Sequence, residues 1–535
     1  MAVLLLPLLA AVLRVASLPG WVLGPLCLPF AALRIAAWER GLSWRGDWLG
    51  GFVFWLLTFS FLTHVHWLFP LGPAATLAFW WVAEGLAYRG LRRKLPPSLA
   101  GPLALCAAEW LRALLPMGGV PWALLSLGLA DQPAALFLAR SVGESGLVVL
   151  VALWGGCLYA LARRRHVVEL APAPALTALA AVASLLAPAP ERSGSLVPPV
   201  QCLAVQPDIS LEEKHDETEQ DVLRRQAEVT TAALAAAPGA DLVLWAETMF
   251  PLPVTAPGTQ GVLTRPSRWS DELLRYPAAE AAERAMEFAR GIGRRLAPSA
   301  CFVTGAHWYA PVAEEDAART RSARRSAAVV FAADGRILAH AAKTELVPFG
   351  ERLPLDGRFP GGRALGRAIY RAFGLRPDFQ APPRPSLLRF PWAHGELQLG
   401  VAICWENVFE AVFRRQAAGG AEAFLVLSNE AWYGTSEEMD QMVAATRFRA
   451  AETGRAVLRA TNNGWTVLVD AGGRLQAQLE RGRSGWLAAG LPRVSAATVT
   501  PYLLGGWLLL PAVAVLGWGL AAWGWWAPRR RLDPT

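Results

Sequence analysis

The pattern of hydrophobic and polar positions divides the chain into an apolar first part, a mixed middle block and an apolar stretch near the end. Apolar runs long enough to span a bilayer occur at 2–17, 20–38, 49–70, 72–88, 97–115, 145–161, 170–188 and 502–523. We therefore predict an all-α membrane domain at 1–190 with seven helices, an eighth helix at 502–523 and a tail at 524–535. Within one of these runs, Glu109 and Arg112 are three residues apart and are expected to pair.

Basic clusters between the apolar runs predict an orientation. They follow the second, fourth, sixth and eighth runs: Arg40 and Arg45; Arg89, Arg92, Arg93 and Lys94; Arg163, Arg164 and Arg165; Arg529, Arg530 and Arg531. Cytoplasmic loops of membrane proteins collect Lys and Arg. We therefore expect both termini in the cytoplasm and the block 197–497 on the other side of the membrane.

The block 197–497 alternates between strand-like and helix-like patterns. Strands are predicted at 201–209, 240–248, 300–309, 326–343, 397–406, 423–432 and 455–479, and helices at 217–236, 278–296 and 438–454. The strand region 326–343 contains an Asp334-Gly335 pair that is typical of a hairpin turn. Strands that alternate with helices indicate a layered α/β domain.

Composition agrees with a membrane protein and narrows its chemistry. Of 535 residues, 54% are hydrophobic and 18% are charged, which excludes a disordered chain and disfavours an ordinary soluble enzyme. The chain has a net charge of +8, and it contains no nucleic-acid-binding motif. We therefore expect its basic residues to face the headgroups of a membrane bilayer, and we expect no nucleic acid as partner. Six Cys are too few for a disulfide scaffold in a chain of this length. Cys202 and Cys301 lie inside predicted strands, where we expect their side chains to pack in the core. A disulfide between them is the open alternative.

Three residues at predicted strand ends form a candidate nucleophilic site. Glu247 follows one apolar strand, Lys343 another and Cys404 a third, and Lys343 is one of only three Lys in the chain. In such a site the carboxylate takes the thiol proton, the thiolate attacks a carbonyl and the ammonium stabilises the oxyanion. We find no metal-ligand spacing, and we expect no metal and no cofactor.

The motifs around these residues resemble a known family. The segments WAETMFP, KTELVPFGERLP, AICWENVF and LSNEAWYGTS resemble the nitrilase superfamily. With seven helices ahead and one behind, the chain resembles the apolipoprotein N-acyltransferase family, the membrane-embedded branch of that superfamily. The resemblance implies a nitrilase-like αββα sandwich on an eight-helix transmembrane bundle. It also implies a bacterial inner-membrane protein with its catalytic domain in the periplasm.

The resemblance implies a reaction and assigns residues to it. An acyl chain would move from a phospholipid to Cys404 as a thioester, and then to the N-terminal amine of an S-diacylglyceryl-cysteine in a diacylated apolipoprotein. Glu247 would be the general base and Lys343 the oxyanion-stabilising cation. Glu351 would support the Lys, Trp405 and Glu406 would follow the nucleophile as an aromatic–acid pair, and Asn429 would shape the pocket. Glu430 stands where this family usually has Asp.

A short segment between glycines is a candidate lid. In 363–375, Arg363, Arg367 and Arg371 recur every four residues, on a different side from the apolar positions. This pattern predicts an interfacial helix whose Arg face meets anionic headgroups, and an ordinary packed helix is the alternative.

Three other functions remain open at this level. A membrane-anchored nitrilase-type amidase would transfer the acyl group to water instead of an amine. A catalytically idle lipid-binding or scaffold protein is disfavoured by the presence of all three candidate residues. A transporter is disfavoured because the apolar runs show no inverted repeat.

Overall fold

The structure is a computed structural model. It describes residues 2–21, 23–115, 118–164, 167–187, 198–210, 213, 219–259, 262–266, 273–311, 323–352 and 379–526. The chain divides into two compact units. The helical unit comprises Met1–Ala189, Ser436–Gly454 and Val499–Thr535, and the sheet unit comprises Pro190–Thr435 and Arg455–Thr498.

The helical unit is all-α in its described residues. Its α-helices are Ala2–Ala16, Cys27–Glu39, Trp44–Thr58, Leu71–Leu91, Pro97–Arg112, Pro133–Ala162, Pro172–Leu186, Glu438–Thr453, Pro501–Leu504 and Leu509–Trp526. Short 3-10 helices lie at Gly24–Leu26, Ser60–His64, Leu127–Asp131, Val167–Glu169 and Gly506–Leu508.

A helix lies in each of the eight predicted apolar runs, but several differ in extent from the prediction. In the runs 20–38 and 502–523 the long α-helix begins later, at Cys27 and at Leu509. The run 49–70 is not one helix, because the α-helix ends at Thr58 and a 3-10 helix follows at Ser60–His64. The hydroxyl of Thr58 donates to the Phe54 carbonyl at 2.8 Å, a side-chain bond of the kind that bends helices. The run 145–161 belongs to a longer helix that begins at Pro133 and is interrupted at Gly143.

Among the described helices, two are long and apolar enough to cross a membrane by length and composition, Pro133–Ala162 and Gly506–Trp526. The eight-helix transmembrane bundle therefore stays a prediction. The two apolar helices Leu5–Ala16 and Pro172–Leu186 are shorter.

Buried ion pairs join helices inside the helical unit. Arg34 contacts Asp47 at 3.0 Å and Glu84 at 2.9 Å. The expected pairing of Glu109 with Arg112 is confirmed. Because each of these charges has a partner of opposite sign, these residues are compatible with an apolar interior.

The sheet unit contains fourteen described strands. They are β1 Val200–Gln206, β2 Leu242–Thr255, β3 Val262–Pro266, β4 Leu273–Pro277, β5 Cys301–Ala310, β6 Ala323–Ala332, β7 Ile337–Ala342, β8 Leu388–Trp392, β9 Gly395–Ile403, β10 Ala423–Ser428, β11 Val457–Thr461, β12 Thr466–Val469, β13 Leu475–Leu479 and β14 Gly485–Leu491. Its α-helices are Glu219–Ala236, Ala278–Gly293 and Glu410–Ala418, and two 3-10 helices are Cys404–Val408 and Ala431–Tyr433.

The strands form two six-stranded sheets and a small hairpin. The first sheet has the order β14-β1-β2-β5-β6-β7, the second has the order β13-β12-β11-β10-β9-β8, and β3 pairs with β4. The centre of each sheet is parallel: β1 with β2 and β2 with β5 in the first, β9 with β10 and β10 with β11 in the second. The outer pairs are antiparallel.

The main core lies between the two sheets. One buried apolar cluster draws on both sheets, with Leu244 and Val303 from the first and Leu425 and Leu458 from the second. A second cluster covers the other face of the first sheet, where the helices Glu219–Ala236 and Ala278–Gly293 pack. On the outer face of the second sheet, Phe413 of the helix Glu410–Ala418 packs on Phe424. The predicted layered α/β fold is confirmed.

Several elements were not predicted. They are the strands β3, β4, β8 and β14 and the helix Glu410–Ala418. β14 pairs along its whole length with β1, almost three hundred residues earlier in the chain. Because its alternation is interrupted by small residues (Ala488, Ala489 and Gly490), the local pattern is weak and the long-range pairing determines the strand.

Candidate active site

Cys404 lies on a sharp turn at the carboxyl end of β9. It begins the 3-10 helix Cys404–Val408 and has a φ of 52°, a left-handed conformation that a residue with a side chain rarely adopts. Such backbone strain persists only where surrounding structure enforces it and is frequent at reactive positions. The side chain is 9% exposed, so the sulfur is close to the surface of a largely dry site.

Lys343 lies directly after β7 and contacts two carboxylates. Its Nζ is 3.2 Å from Glu247 Oε1 and 2.9 Å from Glu351 Oε1, and the residue is 1% exposed. The second oxygen of Glu351 accepts a hydrogen bond from the Val347 amide at 2.9 Å. The ammonium is therefore fixed between two acids, one of which is held by the backbone of the following loop.

Glu247 lies inside β2, where pairing with the neighbouring strand becomes irregular. The prediction placed it at a strand end, but β2 resumes and continues to Thr255. Regular pairing with β5 stops at Trp245, and Thr248 has a φ of 53°. β5 passes close at Gly305, where an added Cβ would lie 2.5 Å from Glu247 Cα. The irregularity turns the carboxylate toward Lys343.

The Cys404 thiol lies within interaction range of the Glu247 carboxylate. Burial raises the pKa of the Glu247 carboxyl above its usual range, and Lys343 opposes this rise. Burial alone would lower the pKa of Lys343, but Glu247 and Glu351 hold it well above its ordinary value. The arrangement therefore contains a carboxylate whose basicity burial increases and an ammonium whose charged form is favoured.

Glu406 joins the two loops that carry the sulfur and the ammonium. Its Oε1 accepts hydrogen bonds from the Thr344 amide and hydroxyl, both at 2.7 Å, and from the Glu345 amide at 3.2 Å. Its Oε2 accepts from the Ile403 amide at 2.9 Å. Burial raises the pKa of this carboxyl, while the Thr344 and Ile403 hydrogen bonds lower it. Glu406 thus holds the backbone beside Lys343 against the backbone beside Cys404.

The remaining predicted residues differ in their placement. Asn429 follows β10, donates to Thr248 Oγ1 at 3.4 Å and accepts from Asn462 Nδ2 at 3.0 Å. The Trp405 ring contacts the Phe409 ring, with centroids 5.5 Å apart. The lid residues Arg363, Arg367 and Arg371 lie outside the described residues, so their contact with headgroups stays a prediction.

Other cysteines of the sheet unit do not share this environment. All six cysteines of the chain are free and buried, so Cys202 and Cys301 are not paired. Burial raises the pKa of the Cys301 thiol to about 11. These two cysteines belong to the core between the sheets, which agrees with the expected packing role.

A buried ion pair in the sheet that carries Cys404 was not predicted from the sequence. Arg459 of β11 binds Glu430, and both residues are 0% exposed. A charged residue inside the otherwise apolar strand Val457–Thr461 was the available signal.

Two family models match the chain in succession. Residues 9–157 match the apolipoprotein N-acyltransferase N-terminal domain, and residues 204–500 match the carbon–nitrogen hydrolase family. The apolipoprotein N-acyltransferase of Pseudomonas putida (strain KT2440) is 30% identical over 528 residues, which cover 92% of each chain. The chain belongs to the apolipoprotein N-acyltransferase family.

A second relative agrees with this membership. The apolipoprotein N-acyltransferase of Caulobacter vibrioides (strain CB 15) is 30% identical over 493 residues, covering 86% of this chain and 82% of the relative. Among solved structures, Nit3 of Saccharomyces cerevisiae, of branch 10 of the nitrilase superfamily, has a TM-score of 0.37 at 15% identity and covers 55% of this chain and 90% of that chain. As a member of the apolipoprotein N-acyltransferase family, the chain is an acyltransferase with a nitrilase-like α/β fold.

Proposed function

We propose that this chain transfers an acyl chain from a membrane phospholipid, through a thioester on Cys404, to the N-terminal amine of an S-diacylglyceryl-cysteine on a diacylated apolipoprotein. The observation that carries the proposal is that the buried Glu247 carboxylate contacts Lys343 at 3.2 Å and lies within interaction range of the Cys404 thiol. Because a neutral thiol is a poor nucleophile, an adjacent buried carboxylate is the feature that the chemistry requires.

In the first half-reaction, Sγ of Cys404 attacks the ester carbonyl carbon of the phospholipid. The carbon–sulfur bond forms and the ester carbon–oxygen bond breaks, while Glu247 moves the thiol proton to the departing glycerol oxygen. Lys343 stabilises the negative charge on the carbonyl oxygen of the tetrahedral intermediate. The products are the thioester and a lysophospholipid.

In the second half-reaction, the acceptor amine attacks the thioester carbonyl. The ammonium gives one proton to solvent and a second, through Glu247, to the sulfur, as the carbon–nitrogen bond forms and the carbon–sulfur bond breaks. Glu351 keeps Lys343 in place by its contact at 2.9 Å. The products are an amide and the free thiol, so the enzyme returns to its starting state.

We further propose that the enzyme is a multi-pass protein of the bacterial inner membrane, with the block 197–497 in the periplasm and both termini in the cytoplasm. The four basic clusters of the sequence support this orientation. The helices at each predicted apolar run support a membrane domain at 1–190 and a last helix at 502–523.

Intact-mass analysis of purified protein incubated with phospholipid tests this function. We expect the wild type to gain one acyl chain, Cys404→Ala to gain none and Cys301→Ala, a buried cysteine of the same unit, to behave as the wild type. Addition of a diacylated lipopeptide should remove the acyl group and add it to the peptide N-terminus. Release of free fatty acid, with no gain of mass on the peptide, would show hydrolysis and contradict the proposal.

A further inference from the structure

Arg459 lies in the sheet that carries the nucleophile, two strands away from it. In register, Arg459 of β11 is opposite Val426 of β10, which is opposite Ala402 of β9, two residues before Cys404. Neighbouring strands are about 4.8 Å apart, so the Arg459 backbone is about 10 Å from that of Ala402. Leu458 and Ala460 belong to the core between the two sheets. Because successive side chains of a strand point to opposite faces of the sheet, the side chain of Arg459 lies on the outer face of the second sheet.

The Arg459 guanidinium is held by Glu430, the residue that precedes the 3-10 helix Ala431–Tyr433. The hydroxyl of Ser428 donates to the same carboxylate oxygen, Glu430 Oε1, at 2.7 Å. Within the described part of the chain, Nε and Nη1 of Arg459 and Oε2 of Glu430 have no hydrogen-bond partner. A buried ion pair is weak evidence for stability, because desolvation offsets most of its Coulomb energy. Its position in the sheet that carries Cys404 places a positive charge near the site.

The charged groups of the site act on this cation. Burial lowers the pKa of the Arg459 guanidinium to about 10, while Cys404 and Glu247 act in the opposite direction and favour its charged form. Because Coulomb interaction is reciprocal, Arg459 in turn favours the thiolate and the carboxylate. The guanidinium therefore carries a positive charge at neutral pH.

We propose that Arg459, held by Glu430, is a positioning residue of the nucleophile: a second buried cation that, with Lys343, favours the thiolate of Cys404. The inference rests on the proposed role of Cys404. The two cations differ in their tasks, because Lys343 contacts the reacting carboxylate and Arg459 acts from the far side of the sheet.

Glu430 determines where the Arg459 guanidinium lies and how much of its positive charge is compensated. Gly464 packs against it so closely that any side chain at this position would overlap Glu430 Oε2. The carboxylate therefore has one place to lie, and it partly neutralises the guanidinium that it holds.

The pH dependence of Cys404 alkylation by iodoacetamide, followed by mass spectrometry of the labelled peptide, tests this inference without lipid. The charged groups around the sulfur are Glu247, Lys343, Glu351, Glu406, Glu430 and Arg459. Arg459→Met removes a cation, so we expect the midpoint of alkylation to rise by about 0.5–1 pH unit. Glu430→Gln removes the neutralising anion, so the midpoint should fall. A purely structural role would not move the two midpoints in opposite directions.

The double variant Arg459→Met/Glu430→Gln controls for misfolding of the single variants. It removes both charges of the pair, so neither is left buried without its partner. Its midpoint should lie above that of Glu430→Gln, since the two proteins differ only in the Arg459 charge. The matched control is Arg455→Met: Arg455 is also 0% exposed, but its Nη2 donates to the Thr498 carbonyl at 3.0 Å. This control should keep the wild-type midpoint.

Equal midpoints in the double variant and Glu430→Gln would overturn the inference, as would a rise in both single variants. Since no acyl donor is used, either result would leave the proposed acyl transfer standing. Absence of acylation in the wild type would instead count against the proposed function alone.

Discussion

At the scale of single residues, the site depends on side chains that are buried and charged at once. Lys343 is 1% exposed and Glu247 is 7% exposed, yet both take part in ion pairs. Burial strengthens each electrostatic interaction and also raises the pKa of Glu247. The same burial that makes Glu247 a useful base therefore makes its ionised form unfavourable for the fold.

This conflict predicts a pH dependence. The reaction needs ionised Glu247, so the rate of acyl-enzyme formation should fall as the pH drops through a midpoint above the value of about 4.3 for a free Glu. Single-turnover measurements between pH 4 and 8 would show it. The exposed Glu280→Gln variant should keep the same profile, and a rate independent of pH over this range would contradict the assignment.

The conflict also predicts a large effect on activity with a small effect on stability. The raised pKa of Glu247 means that its ionised form costs stability above its unfolded pKa, while the raised pKa of Lys343 means that the same pair favours the charged Lys343. Because these contributions oppose each other and Lys343 keeps its contact with Glu351, Glu247→Gln should lower the acylation rate by about 10²–10⁴-fold while the melting temperature at pH 7 changes little. A large loss of thermal stability would show that the carboxylate is mainly structural.

Glu406 gives a prediction of the opposite kind, in which stability is lost. Its carboxylate accepts four hydrogen bonds, and Gln would place an amide donor against one of those donors. We expect Glu406→Gln to destabilise the sheet unit by about 1–3 kcal/mol, measured by denaturant or thermal unfolding. Glu396→Gln, an exposed carboxylate on β9, should change stability little.

At the scale of elements, the sequence predicted the strands that carry the site more completely than the strands at the edges. β1, β2, β5, β9 and β10 are apolar and buried along most of their length, so local composition identifies them. β8 and β14 pair with partners through backbone hydrogen bonds, and their half-exposed side chains give little local pattern.

The same limit applies to the site. Motif positions identified Glu247, Lys343 and Cys404, because each follows a run of apolar residues. The partner of Arg459 could not be identified from the sequence, since Glu430 and Arg459 are separated by a loop, a helix and part of a strand. The resumption of β2 beyond Glu247 depends on its irregular pairing with β5, which is a long-range interaction.

The close approach of β5 to β2 gives a prediction at this scale. An Ala at Gly305 would place its Cβ 2.5 Å from Glu247 Cα, and the neighbouring atoms are backbone that cannot move aside cheaply. Gly305→Ala should therefore displace Glu247 and lower the acylation rate by about 10²-fold, as expected for a small misplacement of a reacting group. The control is Gly490→Ala in β14, where the nearest atoms lie at 3.5 Å. Equal activity in both variants would contradict this role of Gly305.

At the scale of the whole molecule, one chain supplies two compact units, and the helix Glu438–Thr453 belongs to the helical unit although sheet strands precede and follow it. Within that unit Arg449 of this helix binds Glu144 at 2.6 Å, next to the interruption at Gly143. Hydropathy alone did not predict this membership, because the helix is mostly polar in sequence.

The proposed orientation predicts which surface positions a membrane-impermeant maleimide reaches in intact spheroplasts. Ser484→Cys, at an exposed position between β13 and β14, should be labelled. Arg45→Cys, at an exposed position after the second apolar run, should be labelled only after permeabilisation. Since the six native cysteines are buried, they contribute little background. Labelling of Arg45→Cys alone in intact spheroplasts would reverse the orientation.

The hydrogen bonds that Glu406 accepts affect which properties of such an enzyme mutation can change. The amide beside the ammonium and the amide beside the sulfur are tied to a single carboxylate, so the gap between the two reacting atoms is a property of the main chain. Exchanges of the other side chains around the site leave that gap as it is. If the acyl donor is a lipid as proposed, preference for one lipid over another can change by mutation while the geometry of the acyl transfer is retained.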